Sequence, residues 1–123
     1  MAICECGLPK PLSACCLPII QGIQSPATCE ALMRARYTAY ALGDESFLLR
    51  SWHPITRPLS LPLDTQAKWL GLTVLSSQGG SSDSEGTVEF IARYKVGGRA
   101  HRLQERSRFL RQDNEWYYLA PVS

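Results

Sequence analysis

The spacing of apolar side chains has a helical period in the first half of the chain. Between residues 25 and 55, three large apolar residues recur at the three- to four-residue spacing of one helix face: Met33, Tyr37 and Tyr40. Ser25 and Pro26 precede them, and predict an N-cap followed by the first helical position. Gly43 predicts the end of this helix, and the stretch DESFLLRSW predicts a second, short helix that ends before the next proline.

From about residue 68 the period of the pattern changes to two, which is typical of a strand with one buried face. TVEFIARYKV alternates most regularly, and three other stretches predict further strands: KWLGLTVLS, RAHRLQERSRFLRQ and EWYYLAP. The turns between them are predicted by GGSSDSEG, by Gly97-Gly98 and by Asp113-Asn114. Two helices followed by an antiparallel meander predict an α+β domain, with a curved antiparallel sheet wrapped on helices.

The composition is that of an ordinary folded protein. The 123 residues include 45% hydrophobic and 20% charged side chains, which fits one domain and excludes a disordered chain. A formal net charge of +2 gives no strong indication of binding to nucleic acid or to a membrane. No stretch approaches the roughly 20 apolar residues of a membrane span, and the N-terminus lacks the pattern of a secretory signal. We therefore expect a cytoplasmic protein.

Four of the five cysteines are concentrated in the stretch CECGLPKPLSACC: Cys4, Cys6, Cys15 and Cys16. Thiolate sulfurs bind zinc at about 2.3 Å, and four of them complete a tetrahedron. A disulfide framework, a redox pair and chance clustering are the alternatives, and the expected reducing compartment argues against disulfides. The cysteines predict a structural zinc that orders residues 1–24, a segment without a helical or strand period.

The spacing C-x-C-x8-C-C also resembles the SEC-C motif, the zinc-binding segment known from the SecA translocation ATPase. Further stretches resemble the YchJ-like bacterial proteins of uncharacterised function, in the same order along nearly the whole chain: LMRARYTAY, SWHP, WLGLTV, ARY, ERSRFL and WYYL. The resemblance implies a SEC-C-like zinc knuckle at residues 1–24. For residues 25–123 it implies a cone-shaped domain similar to nuclear transport factor two, steroid isomerase and cystatin.

The loop between the two cysteine pairs departs from this resemblance. In SEC-C motifs the loop is usually basic and carries an aromatic residue, and in SecA it grips an acidic chaperone partner. Here the loop is LPKPLSA, with Lys10 as its only charge and Leu12 at the aromatic position. The resemblance therefore implies metal binding by the four sulfurs, and it does not extend to a contact with an acidic partner.

A cone fold leaves a cavity between its sheet and its helices, and Glu105 is predicted to face that cavity. Alternation in HRLQERSRF places four residues on one strand face: Leu103, Glu105, Ser107 and Phe109. Because a carboxylate there is costly to bury alone, we expect a partner among Arg36, His53 and Tyr117. Glu105 is then either an acid–base or ligand-binding group, or half of a buried pair that holds helix to sheet.

The stretch SWHP supplies two further candidates for the cavity. His53 is a candidate general base or ligand contact, and alternatively marks a packed helix end whose imidazole bonds a backbone carbonyl. Trp52, together with Arg36 and Tyr117, is a candidate for the cavity lining.

The face opposite Glu105 on the same strand is polar: Arg102, Gln104, Arg106 and Arg108. Three arginines in line can bind phosphates or an acidic protein, or can form a charged outer face balanced by Glu89. His101 lies beside a hairpin among arginines and is expected to face solvent. Cys29, near the start of the first helix, is expected to be an inert, partly buried thiol.

Two classes of function remain. The first is a non-enzymatic, zinc-stabilised binding or adapter protein, in which the knuckle and the sheet face contact a protein partner. The second is a small-molecule-binding protein or an enzyme that uses the cavity with Glu105 and His53. The sequence favours the first class, because the cysteine pattern is more specific than the acid–base pattern.

Overall fold

The computed structural model describes residues 4–61, 63, 67–80 and 82–122. A 3₁₀ turn at Leu12–Ala14 is followed by three helices and four strands in chain order. The helices are α1 at Leu17–Ile20, α2 at Cys29–Leu42 and α3 at Glu45–Arg50. The strands are β1 at Lys68–Gln78, β2 at Glu85–Val96, β3 at Arg99–Gln112 and β4 at Glu115–Pro121. This order confirms the predicted α+β class, with helices first and an antiparallel meander afterwards.

The N-cap of helix α2 is Thr28, three residues after Ser25, so the predicted N-cap was wrong. Thr28 has an extended backbone, and its hydroxyl oxygen accepts the Ala31 amide at 3.1 Å, so Thr28 caps the helix. Ser25 instead donates its hydroxyl to Glu115 at 2.5 Å, on the last strand. The predicted end of the helix at Gly43 is confirmed, because its φ of 76° is the left-handed conformation that glycine adopts at little cost.

Helix α3 follows immediately, as predicted. The carboxylate of Asp44 caps it by accepting the Phe47 amide at 3.0 Å. Glu45 lies in the first turn and Arg50 in the last, which complements the helix dipole. In the connection predicted after this helix, residues 53–61 and 63 contain no helix or strand, and residues 62 and 64 lie outside the described residues.

The sheet is antiparallel throughout, in the order β1-β2-β3-β4. Gly97 and Gly98 form the β2–β3 turn with φ of 57° and 79°, as the sequence predicts. Asp113 and Asn114 form the β3–β4 turn with φ of 53° and 66°, a conformation that these two residue types tolerate well. The predicted turn between β1 and β2 includes Ser81, which lies outside the described residues.

The strands differ in how completely they are paired. β2 pairs with β3 along its whole length, from Glu85 opposite Leu110 to Val96 opposite Arg99. Along β3, β4 pairs with residues 107–112, and Tyr118 of β4 also forms a parallel bridge with Trp52. Within the described part of the chain, residues 99–105 of β3 therefore have a strand partner on one side only. β1 carries two register shifts, between Trp69 and Gly71 and between Val74 and Ser76.

The core lies between the inner face of the sheet and α2. Seven apolar side chains of the sheet are buried there within the described residues: Leu72, Val88, Phe90, Ala92, Phe109, Trp116 and Tyr118. Helix α2 presents five buried apolar side chains to them: Leu32, Met33, Ala35, Tyr37 and Ala39. Burial of each large apolar side chain contributes about 1.5–3 kcal/mol, so this layer supplies much of the stability of the fold.

The N-terminal segment packs into the same core. The sequence predicted no helix before residue 25, whereas the structure has the 3₁₀ turn and α1, both too short for a recognisable period. Cys4, Cys6, Cys16, Ile19 and Ile20 belong to one apolar cluster with α2 and the sheet. The division into segments 1–24 and 25–123 remains a prediction. No helix in the described part of the chain is long and apolar enough to cross a membrane.

Replacement of Thr28 by alanine removes the N-cap of α2, and we expect the free energy of unfolding to fall by about 1 kcal/mol. Ser25→Ala is the matched control, because Ser25 is exposed and caps nothing, and we expect a change within about 0.5 kcal/mol. Urea denaturation of both variants measures the difference. A larger loss from Ser25→Ala than from Thr28→Ala would contradict the assignment of the cap.

Candidate functional site

The four clustered cysteines bring their sulfurs together in the structure. The Sγ atoms of Cys4, Cys6, Cys15 and Cys16 all lie within 4.8 Å of one another. Cys6 and Cys15 are 3.6 Å apart at sulfur, and Cys15 and Cys16 are 3.9 Å apart. Four sulfurs around one zinc ion at about 2.3 Å would be about 3.8 Å from each other, so the observed spacing could hold a metal.

A tight turn around Gly7 creates the first cysteine pair. The amide of Gly7 donates to the Cys4 carbonyl at 3.3 Å, and the amide of Cys4 donates to the Lys10 carbonyl at 2.7 Å. Gly7 has a φ of 94°, and a Cβ atom at this position would lie 3.1 Å from the carbonyl oxygen of Leu72 on β1. Glycine is therefore needed here both for the backbone conformation and for the close approach of the sheet.

Helix α2 supports the cysteine cluster from behind. Arg34 donates from Nη1 to the carbonyl of Cys6 at 2.7 Å, while Glu30, one turn earlier, accepts from Arg34 Nε at 3.0 Å. The Thr38 hydroxyl lies 3.6 Å from the Cys4 sulfur. One face of α2 thus fixes the position of the first cysteine pair, in the manner of the outer-shell contacts that orient metal ligands.

The electrostatics of the cluster favour one thiolate and disfavour more. The pKa of Cys6 is lowered to about 5, chiefly because the Cys16 thiol donates a hydrogen bond to its thiolate. The same interaction raises the pKa of Cys16 above its usual range, and burial raises the pKa of Cys15 to about 11. Four thiolates at this site therefore require a bound cation to balance their charge.

Cys29 lies apart from this cluster and is fully buried. Its thiol donates to the Gln78 carbonyl at 3.1 Å, and burial raises its pKa to about 11. Gly86 packs so closely that a Cβ atom there would lie 2.6 Å from the Cys29 sulfur. A protonated, enclosed thiol has the properties of an inert packing group, the role predicted for this residue.

A cavity of about 240 Å³ lies between α2 and the inner face of the sheet. Aromatic side chains form most of its wall: Tyr40, Trp52, Trp69, Phe90 and Tyr118. Apolar residues Met33, Ala92 and Leu103 complete the wall, and the polar groups are Arg36, Glu105 and Ser107. The alternation that predicted the inward face of β3 therefore placed Glu105 correctly.

Arg36 enters the cavity from α2 and is only 3% exposed. Its Nη1 atom donates to the Leu48 carbonyl at 2.8 Å and to the Ser51 hydroxyl at 2.7 Å, at the end of α3. The guanidinium carbon lies 4.5 Å from the ring centre of Tyr118 and 5.2 Å from that of Trp52. Burial lowers the pKa of Arg36 to about 10, so its side chain is still a cation at neutral pH.

Glu105 does not form the buried ion pair that one interpretation of the sequence expected. Ion pairs within the described part of the chain are Arg34–Glu30 and Arg108–Glu85, so Arg36 and Glu105 lie more than 4.0 Å apart at their charged atoms. Glu105 instead accepts the Ser107 hydroxyl at 2.5 Å. Burial and then the nearby Glu105 charge raise the pKa of Tyr118 above its usual range.

The structure does not bring Tyr117 or His53 into this cavity. Strand alternation turns Tyr118 toward α2 and Tyr117 away from it, so the cavity tyrosine is the neighbour of the predicted one. In the sequence, the inward direction of Tyr118 was indicated only by Trp116, because alternation places these two large side chains on the same strand face. In the structure Trp116 is buried on that inner face.

His53 has the alternative role that the sequence offered, that of a packed side chain just after a helix end. The Ile55 amide donates to its Nδ1 atom at 3.2 Å, so Nε2 carries the proton and donates to the Gln112 side-chain oxygen at 2.8 Å. The Tyr117 ring stands edge-on to the imidazole at 5.8 Å. The imidazole bonds an amide side chain rather than the predicted backbone carbonyl, and both of its nitrogens are occupied.

The outer face of the sheet carries the predicted arginines, all exposed: Arg102, Arg106 and Arg108. Arg93 on β2 lies directly opposite Arg102, which places two like charges side by side. Arg108 lies 4.0 Å from Glu85, while Glu89 accepts a hydrogen bond from Gln104 instead of pairing with an arginine. His101 is also exposed, and its ring stacks on Tyr94.

The chain is similar to known proteins over nearly its whole length. The profile of the family described as "YchJ, middle NTF2-like domain" matches residues 28–121. A UPF0225 protein from Chromobacterium violaceum is 54% identical over 97% of this chain and 91% of its own length. Another, from Cupriavidus pinatubonensis, is 50% identical over 89% of this chain and 76% of its own length.

This chain belongs to the YchJ-like family. The solution structure of a SEC-C motif containing protein from Rhodopseudomonas palustris matches it with a TM-score of 0.87 and 36% identity, over 99% and 98% of the two chains. A crystal structure of a SEC-C motif containing protein from Psychrobacter arcticus matches with a TM-score of 0.81 and 25% identity, over 99% and 82%. The family match confirms the fold implied for the central domain, and both structural neighbours are described as SEC-C motif containing proteins.

Replacement of Glu105 by glutamine tests whether this residue holds the helix to the sheet. Glutamine retains an oxygen for the Ser107 hydroxyl and no ion pair is lost, so we expect the free energy of unfolding to change by less than about 1 kcal/mol. Breaking a buried ion pair would cost about 3–5 kcal/mol. Urea denaturation, with Glu89→Gln on the outer face as control, distinguishes the two values.

Proposed function

We propose that this member of the YchJ-like family is a zinc-stabilised binding protein, with zinc held by Cys4, Cys6, Cys15 and Cys16. The observation that supports this most directly is the spacing of four sulfurs within 4.8 Å of one another. Four cysteine ligands form a closed tetrahedral set that is typical of structural rather than catalytic zinc. Zinc would supply folding energy by linking the turn around Gly7 to the start of α1.

The residues of this chain prepare the cluster for a metal. Cys4, Cys6 and Cys16 are buried and Cys15 is partly exposed, so an ion at the centre would be shielded from water on most sides. Arg34 and Thr38 orient the first cysteine pair from α2. A metal at this site would therefore stabilise the position of α2 as well as the N-terminal segment.

A second candidate function places a small molecule in the interior cavity. The specific observation in its favour is that two charged side chains, Arg36 and Glu105, line an aromatic cavity without pairing with each other. His53 lies outside this cavity, so the geometry supports ligand binding in the cavity rather than acid–base catalysis by Glu105 and His53.

The exposed arginines of the outer sheet face belong to the first proposal. They would bind an acidic protein partner if the protein acts as an adapter.

Metal analysis of the purified protein tests the first proposal. We expect one zinc per chain by inductively coupled plasma mass spectrometry. Cys15→Ser should lose the metal, and because Cys15 is partly exposed the substitution costs little packing. Cys29→Ser is the matched control, since its hydroxyl can still donate to the Gln78 carbonyl, and it should retain the metal. Equal zinc content in both variants, or none in the unmodified protein, would overturn the assignment.

The affinity for zinc should rise with pH. Cys6 has its pKa lowered to about 5 and is a thiolate at pH 7, whereas Cys15 and Cys16 have raised pKa values and must lose their protons when zinc binds. Protons therefore compete with the metal, and affinity falls as the pH is lowered from 8 to 5. Calorimetric titration in buffers of different ionisation enthalpy measures the protons released. A pH-independent affinity with no proton release would contradict four-thiolate coordination.

A further inference from the structure

The guanidinium of Arg36 is a buried cation that forms no ion pair within the described part of the chain. It is 3% exposed and takes part in neither of the ion pairs found within the described part of the chain. Its two hydrogen bonds go to the Leu48 carbonyl and the Ser51 hydroxyl, which are neutral, and its planar face contacts the rings of Tyr118 and Trp52. Glu105 lines the same cavity but lies more than 4.0 Å away, so the direct hydrogen-bond partners of this buried charge are neutral and the site can accept a further negative group.

Part of the Arg36 donor set faces the cavity. Both hydrogen bonds leave from Nη1, so Nε and Nη2 have no partner within the described part of the chain. Only Tyr37 Oη and Trp116 Nε1 are fully enclosed polar atoms that lack a partner there. The unpartnered nitrogens of Arg36 are therefore reachable from the cavity that this residue lines. Two adjacent N–H groups of a guanidinium match the two oxygens of a carboxylate.

Glu105 makes the same cavity favourable for a positively charged group as well. One carboxylate oxygen accepts from Ser107, the Tyr118 hydroxyl also lies near the carboxylate, and the Glu105 side chain is only partly buried in the wall of the cavity. Ionised Glu105 offers further acceptor sites to an N–H donor. A ligand with a carboxylate alone would meet the Glu105 charge, and a ligand with an ammonium alone would meet the Arg36 charge. A ligand that carries both groups can bond both side chains at once.

The rest of the cavity wall favours a ligand whose remaining part is small and apolar. A volume of about 240 Å³ lies below the roughly 300–1,000 Å³ of typical small-molecule pockets, so the cavity admits only a small ligand. Tyr40, Trp69 and Phe90 provide flat apolar surfaces, and such rings also attract an ammonium group.

We propose that the cavity binds a free amino acid with an aromatic or branched apolar side chain. Its carboxylate bonds the unpartnered N–H groups of Arg36, its ammonium group bonds Glu105, and its side chain packs against the aromatic wall. This inference rests on the proposed function of the cavity as a ligand site, and it adds the chemical class of the ligand.

Three compounds of nearly the same shape test the charge requirement on the unmodified protein. L-phenylalanine carries both charged groups, 3-phenylpropanoate lacks the ammonium and 2-phenylethylammonium lacks the carboxylate. We expect L-phenylalanine to bind at least about tenfold more tightly than either analogue, because each analogue loses at least one charge-assisted hydrogen bond. Isothermal titration calorimetry measures the three affinities, with L-leucine as a branched amino acid.

Substitutions identify the place of binding. Leu103 lies at the mouth of the cavity and is 43% exposed, so Leu103→Trp should block the cavity without disturbing the fold and abolish binding. Leu75 on β1 is similarly exposed, at 48%, but does not line the cavity, so Leu75→Trp should bind normally. Glu105→Gln should bring L-phenylalanine and 3-phenylpropanoate to similar affinities. Arg36→Met, if it folds, should do the same for L-phenylalanine and 2-phenylethylammonium.

The outcomes separate the ligand class from the function of the cavity. Equal or tighter binding of either singly charged analogue overturns the amino-acid proposal, as does failure of both amino acids to bind. If benzyl alcohol or an analogue still binds and Leu103→Trp blocks it, the cavity remains a ligand site. If no compound binds, or if Leu103→Trp changes no affinity, the proposed function of the cavity falls as well.

Discussion

The structure depends on helix α2, which is packed on two sides at once. One side holds the cysteine turn through Arg34 and Thr38, and the other lines the cavity with Arg36 and Tyr40. Because alternate faces of a single helix serve both regions, a displacement of the cysteine turn cannot leave the cavity unchanged. The N-terminal segment is thus an integral part of the core, with Cys6 and Cys16 almost completely buried.

Features set by local chemistry were accessible from the sequence. The turn residues and the strict alternation of β2 and β3 predicted the sheet and the inward position of Glu105, and four closely spaced cysteines predicted the cluster. Features set by competition between neighbours were not. Thr28 and Ser25 are both good N-caps, and only tertiary packing assigns Ser25 to Glu115. Likewise, adjacent tyrosines at 117 and 118 leave the direction of β4 ambiguous until the strand is placed on α2.

The sequence also did not predict which groups the charged side chains bond. A short distance between Arg36 and Glu105 was a natural expectation, since they lie on opposite walls of one cavity. Arg36 is instead held by the end of α3, because the Leu48 carbonyl and Ser51 hydroxyl lie nearer than the sheet. The two opposite charges therefore line one cavity without forming an ion pair, and the Tyr118 side chain lies near both of them.

The unequal pairing of β3 has a consequence for the behaviour of the protein in solution. Within the described part of the chain, residues 99–105 have backbone donors and acceptors along one unpaired edge, which is a template for adding a strand from another chain. Arg99 and Arg102 lie within that segment and are exposed. Their mutual repulsion between two copies opposes edge-to-edge assembly, so the arginines protect the long hairpin from aggregation.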